Sequence, residues 1–209
     1  MNLEGEHLFK GPRQDVWEMI RDPEVLATAL PGTQKLNKID EQHYEGNMNL
    51  HIGPVSGTFS GKLEIADEVP PQSCTLIVEG RGAAGFGKGT GHVIFDDCGD
   101  GTTLLKYSGD MQIGGTLASV GQRMIDSVSK GMIKQAFEML DKTLEERMAA
   151  KTDGREPVTV TPPTETEFAT AVTKDVAKSA FQIAEVRMLL YVIPMVLVII
   201  LLAYFLSHH

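Results

Sequence analysis

Between Thr33 and Ile113 apolar and polar residues alternate in short runs, and a period of two marks strands with one buried face. His43–Ile52 (HYEGNMNLHI) sets Tyr44, Gly46, Met48, Leu50 and Ile52 against Glu45, Asn47, Asn49 and His51. Thr58–Asp67 (TFSGKLEIAD) does the same with Phe59, Gly61, Leu63 and Ile65. Ser73–Gly80, Gly89–Asp97 and Thr102–Ile113 continue the series, separated by Pro70-Pro71, by glycines and by Cys98–Gly101. With Leu3–Phe9 as an earlier strand, this spacing predicts a meander of antiparallel hairpins.

Two stretches depart from that period. Gly11–Gly32 carries Pro12 and Asp15 as helix-start signals and Val16, Trp17, Met19 and Ile20 as an apolar stripe. Pro23 divides it into two short helices, and Pro31-Gly32 ends the second. From Gly114 to Ala150 the apolar positions Leu117, Val120, Met124, Val128, Ile133 or Met132, Ala136 and Leu140 follow helical spacing. Arg123, Asp126, Lys130, Lys134 and Glu138 occupy the opposite face. One long helix is predicted, despite Gly121 and Gly131, each of which costs about 1 kcal/mol relative to Ala. The order β-α-α-β-β-β-β-β-β-α predicts an α+β domain over residues 1–150, with an antiparallel sheet of about seven strands curled around a long C-terminal helix.

The pattern changes after Ala150. Residues 151–167 are polar, contain three prolines and have no periodicity, as expected of a linker. Phe168, Val172, Val176, Ala180 and Ile183 then recur near helical spacing, predicting an amphipathic juxtamembrane helix over 168–187. Met188–Leu206 is 19 residues without a charge. A helix of that length spans about 28 Å, close to a bilayer's hydrocarbon core. Tyr191 and Tyr204 near its ends suit the interface. The expectation is a transmembrane tail anchor in the cytoplasmic membrane. Lys174, Lys178 and Arg187 on its upstream side place the N-terminal domain in the cytoplasm.

Charge narrows the partners. The chain has a formal net charge of −9, and residues 1–150 hold 14 Lys and Arg against 22 Asp and Glu, a balance of −8. Such a domain repels phosphate, which argues against nucleic acid and against binding anionic lipid by charge alone.

Catalytic and metal motifs are not found. Cys74 and Cys98 are two isolated thiols, and His7, His43, His51 and His92 lie on separate strands, mostly at outward parity. No HxH, HxxxH or CxxC spacing occurs. Gly80–Gly91 (GRGAAGFGKGTG) begins like a phosphate-binding loop, but Gly89 stands where Ser or Thr would hold magnesium, and a strand follows instead of a helix. It reads as a glycine-rich connection between strands, with Phe86 at its tip positioned to cover a cavity or touch lipid.

What remains is the apolar face. The strands direct Met48, Leu50, Phe59, Leu63, Leu76 and Val78 inward, together with Val93, Phe95, Leu105, Tyr107 and Met111. The helix adds Leu117, Val120, Met124 and Val128. A dry core and a ligand cavity both fit these residues. Inward Gly46, Gly61 and Gly109, and 10 methionines in 209 residues, favour an adaptable cavity. Tyr107 is the one inward polar candidate.

Four segments, VWEMIRDPEVLATALPG, YEGNMNLHIGPVSGTFSGKLEI, GRGAAGFGKGTG and YSGDMQIGGTLASVGQRMI, resemble in order and spacing the G-subunit family of carbon monoxide dehydrogenase. The resemblance covers about residues 1–145 and implies the helix-grip (START-like) superfamily, which also holds lipid-transfer and polyketide-cyclase domains. It further implies a non-enzymatic accessory of a molybdenum-containing hydroxylase of the carbon monoxide dehydrogenase type. Such an accessory recruits the enzyme to the membrane and shuttles a quinone, menaquinone or ubiquinone, to it. No catalytic residue comes with the family. A plain membrane adaptor without ligand and a cyclase or lipid-transfer protein remain the alternatives.

Overall fold

Alternation in the strand segments and helical spacing in the rest produce β1 (Asn2–Phe9), α1 (Arg13–Ile20), α2 (Pro23–Ala29), β2 (Thr33–Lys38), β3 (His43–Ile52), β4 (Val55–Val69), β5 (Ser73–Gly82), β6 (Gly85–Asp97), β7 (Thr103–Gly114) and α3 (Gln122–Asp153). This is a computed structural model, and it describes residues 1–30 and 32–157. The expected amphipathic helix and tail anchor lie outside the described residues, as does most of the linker. No helix among the described residues is long and apolar enough to cross a membrane.

The seven strands form one antiparallel sheet in the order β1-β7-β6-β5-β4-β3-β2. Sequential hairpins account for β2 to β7. The helical pair α1–α2 carries the chain from one edge to the other, so that β1 pairs with β7. Asp22 caps α2 by accepting from the Glu24 amide at 2.9 Å, and Pro23 occupies the first turn.

Two expectations need correction. The glycine-rich stretch is not a connection: only Ala83 and Ala84 separate β5 from β6, and its other residues belong to those strands. Nor is there a single helix from Gly114. Gly115–Val120 forms a separate 3-10 segment, pinned where the Leu117 amide donates to the Ala84 carbonyl at 2.8 Å. Gly121 follows with φ +89°, a conformation that side chains disfavour, and α3 starts one residue later. The helix then runs to Asp153, where Gly154 closes it in a left-handed conformation, three residues past the boundary expected from composition.

The packed core occupies one end of the sheet. Phe9, Val16, Trp17, Met19, Tyr44, Ile65, Cys74, Val93, Phe95 and Leu105 are buried there against Met139, Leu140 and Leu144 of α3. Full burial of one such side chain contributes about 1.5–3 kcal/mol. Trp17 meets the ring of Phe95 edge-on at 5.5 Å, and Thr103 Oγ1 donates to the Gly11 carbonyl at 2.8 Å. Ion pairs Arg147–Asp22 and Lys151–Asp15 fasten the C-terminal half of α3 to this packed end.

On the outer face Glu45, Lys62, Glu79 and Lys88 stand in register on β3 to β6. They form the pairs Lys62–Glu45 at 2.8 Å and Lys88–Glu79 at 2.7 Å. Each exposed pair contributes little alone, about 0–1 kcal/mol.

Candidate functional site: a bare inner face above the packed core

The inner face changes character beyond the core. Gly46, Gly61, Gly80 and Gly87 pair in sequence across β3, β4, β5 and β6. They share the parity of Tyr44, Leu63, Leu76 and Val93, so this cross-strand row presents backbone where side chains would otherwise project inward. On β6 the inward positions Gly87, Gly89 and Gly91 are all glycine before Val93 and Phe95 resume.

Space lies in front of the row from Gly61 onward, whereas a Cβ on Gly46 would run into the Lys35 carbonyl and the Leu36 side chain. A Cβ built on Gly80 or Gly87 would meet nothing within 4 Å, and one on Gly61 or Gly91 would meet only neighbouring carbonyl oxygens at 3.7–3.8 Å. Helix α3 therefore does not fill this region with side chains. Val78 gives an independent sign: it sits on the central strand between Leu63 and Gly89, at inward parity, and is still 39% exposed. An inward valine on a central strand is normally covered. The result is an apolar chamber between sheet and helix.

Its floor is the top of the core. Leu36, Leu63, Leu76, Tyr107 and Phe137 are partly buried and pack on the core cluster. The Tyr107 phenol lies over Gly5 of the edge strand, and burial alone raises its pKa above the ordinary value. His7 faces inward too, the exception to the outward parity that His43, His51 and His92 keep. Its ring stacks on Phe137 at 4.4 Å, and its Nε2 donates to Asp141 at 3.0 Å. The far rim consists of Ile52, Phe59, Leu117, Ile125 and Val128, all buried yet outside the core cluster.

The expected cavity residues thus fall into four places. Leu63, Val93, Phe95 and Tyr107 belong to the core or its upper surface. Met48, Leu50, Phe59 and Met111 lie on the inner face toward the rim, where Met48 pairs with Phe59. Leu117 and Val120 come from the 3-10 segment instead of the long helix, and Val128 from the first turns of α3. Met124 and Phe86 lie outside the chamber. Met124 is 37% exposed, with its sulfur beside Gly53, and Phe86 is 45% exposed, with its ring over Gly114 at outward parity. Gly80, Gly87, Gly91, Ile125 and Phe137 escaped sequence reasoning. The available signal was glycine at every second position of a strand, 85, 87, 89 and 91.

Among the described residues no three His, Cys, Asp or Glu side chains converge as a metal site. A hollow of about 350 Å³ is lined by the outward side chains of Asn37, Glu45, Asn47, Ser60, Lys62, Glu79 and Arg81 together with Gly46 and Gly61, so the bare glycines open the sheet on its polar outer face as well.

A conserved protein from Geobacillus kaustophilus of known structure is 30% identical, with 70% of this chain covering 97% of that one at a TM-score of 0.67. Two more distant structures share the fold. The Zhui aromatase/cyclase from Streptomyces sp. R1128 has 13% identity, coverage of 72% and 97%, and a TM-score of 0.54. A START superfamily protein from Mycobacterium smegmatis has 10% identity, coverage of 69% and 97%, and a TM-score of 0.54. No curated protein sequence matches. The family model for the carbon monoxide dehydrogenase G subunit (CoxG) matches residues 5–145, and the chain belongs to that family.

Proposed function

We propose that this protein is a membrane-anchored accessory of a molybdenum-containing hydroxylase of the carbon monoxide dehydrogenase type. In this reading it recruits the enzyme to the cytoplasmic membrane, and its apolar chamber binds and shuttles a membrane quinone, menaquinone or ubiquinone. The observation that carries the reading is the bare inner face: inward glycines with free space before them, and Val78 exposed on the central strand. A wall of bare backbone above an apolar floor suits a flat ring and a flexible prenyl chain better than a polar substrate. Family membership supports the association with a carbon monoxide dehydrogenase, and the uncharged run Met188–Leu206 supports the anchor.

The energetics fit a carrier. Burying about 300–400 Å² of prenyl surface is worth roughly 8–10 kcal/mol against water before ordering costs. Against lipid the gain is far smaller, because the tail exchanges one apolar environment for another. Loading and unloading are then nearly balanced.

The cyclase alternative has little to work with. The inward polar groups at the floor are Tyr107 and the His7–Asp141 pair. His7 Nε2 is already engaged by Asp141, and Phe137 covers its ring. We read that pair as a clamp.

The test is mass spectrometry of organic extracts from the full-length protein purified in detergent from its host's membranes. A prenylated quinone at near-equal molar ratio is expected. Its absence, with the hydroxylase still co-purifying, would leave the plain adaptor.

A further inference from the structure

Three connections meet beyond the rim of the chamber: the Gly53-Pro54 turn, the Ala83-Ala84 turn and the 3-10 segment Gly115–Val120. They touch one another. Leu117 donates to Ala84 at 2.8 Å, the Phe86 ring covers Gly114, and the Met124 sulfur would lie 2.7 Å from a Cβ on Gly53. Together they form one tip of the domain.

That tip is uncharged. Residues 46–61, 82–87 and 111–122 contain no Asp, Glu, Lys or Arg, in a chain that is 22% charged. Its outermost positions are small, with Gly53, Pro54, Ala83 and Ala118 among them, and Phe86 and Met124 stand beside these as exposed bulky apolar groups. Charge returns at the borders of these segments as Glu45, Lys62, Arg81, Lys88, Asp110 and Arg123. Lys62 and Lys88 are paired there with Glu45 and Glu79, which leaves Arg81 and Arg123 against Asp110 at the border of the tip.

We propose that this tip is a lipid-contacting surface, seated at the boundary between headgroups and acyl chains of a bilayer with Arg81 and Arg123 at the level of the phosphates. Three properties fit lipid better than a protein partner. Small residues around single apolar wedges enter an interface without desolvating a charge. Arg81 and Arg123 stand at the border where lipid phosphates would lie, outside the Lys62–Glu45 and Lys88–Glu79 pairs. The tip also has no Trp, Tyr or Arg, the residues that dominate protein-docking hot spots. The proposal rests on the reading above only in giving the tip a membrane to meet, and its test contains no quinone.

The full-length chain, with Cys98→Ser, would carry one fluorescent label at Ala118→Cys on the tip or at Ala149→Cys near the packed end. Cys74 is buried and stays unlabelled. Both proteins would be reconstituted in phosphatidylcholine vesicles with brominated acyl chains. The expected result is several-fold stronger quenching of the tip label, reduced at least about twofold by Phe86→Asp with Met124→Asp. Should the double variant misfold by circular dichroism, the comparison of the two labels decides alone. Equal quenching of both labels, or none at the tip, overturns the proposal. A tip label that is shielded only on adding the purified hydroxylase also overturns it, and assigns the surface to that protein. Quinone content measured on the same preparations reports separately on the chamber.

Discussion

His7 Nε2 reaches both carboxylate oxygens of Asp141, at 3.0 and 3.1 Å, and so ties the edge strand β1 to α3 across the floor of the chamber. Phe137, one helical turn before Asp141, stacks on the same imidazole with its plane only 4° away. With side chains 24% and 37% exposed, solvent screens the pair. A double-mutant cycle with His7→Leu and Asp141→Asn should therefore give a coupling of about 0.5–1 kcal/mol in chemical denaturation. Additive losses would mean that the two side chains do not act together.

Leucine substitutions at two inward glycines should separate open space from close packing. Gly80→Leu projects into space that is empty for at least 4 Å and should change stability by no more than about 1 kcal/mol, the span of strand propensities. On the proposed reading it should also lower the amount of quinone that co-purifies with the protein. Gly109→Leu would drive its Cβ to 2.5 Å from the Thr90 carbonyl oxygen and 2.8 Å from Gly91 Cα, costing about 1–3 kcal/mol or more. Thermal melts of both variants check the pair, and equal destabilisation would show that the chamber is closed.

Cys74 lies in the core, and burial pushes its thiol up to about 11, from 9.0. Between those values the unfolded chain releases this proton and the folded chain keeps it. Stability should therefore fall as pH rises through that window, by roughly 2–3 kcal/mol for the two units. Cys74→Ala should flatten that part of the pH–stability curve. At pH 8 iodoacetamide should modify Cys98, which is exposed, and reach Cys74 only after unfolding.

Truncation tests the end of the domain. A chain ending at Ala150 loses the last turn of α3, the Lys151–Asp15 pair and the Gly154 cap. It should melt a few degrees below a chain ending at Pro157, since about 1 kcal/mol moves the melting temperature by roughly 2–8 °C in domains of this size class. Equal melting temperatures would return the boundary to Ala150.

Much of this architecture was readable because one rule governs most strands. In β3 the alternation from Tyr44 to Ile52 matches the inward face residue for residue, and Pro23 divides α1 from α2 as its missing amide requires. The failures share a cause as well. Glycine carries no side chain to reveal which face it occupies, so the first half of the strand Gly85–Asp97 has the composition of a loop. Helical spacing likewise continues through Leu117 and Val120, although the positive φ of Gly121 divides that run in two. Phe86 and Met124 count as apolar by type, but facing is decided by register and by the start of a helix. Inward parity also does not distinguish a residue that packs, such as Phe95, from one that lines a void, such as Val78.

The 32 residues of α3 carry a geometric demand of their own. At about 1.5 Å per residue the helix is about 48 Å long. It starts at the tip and delivers the chain to the opposite, packed end, where Gly154 closes it. The uncharged tip and the point where the chain leaves the helix therefore stand about one helix length apart. A tether at the packed end would bring the tip to a surface only by running back over that length, which takes about 14 extended residues at 3.3–3.6 Å each.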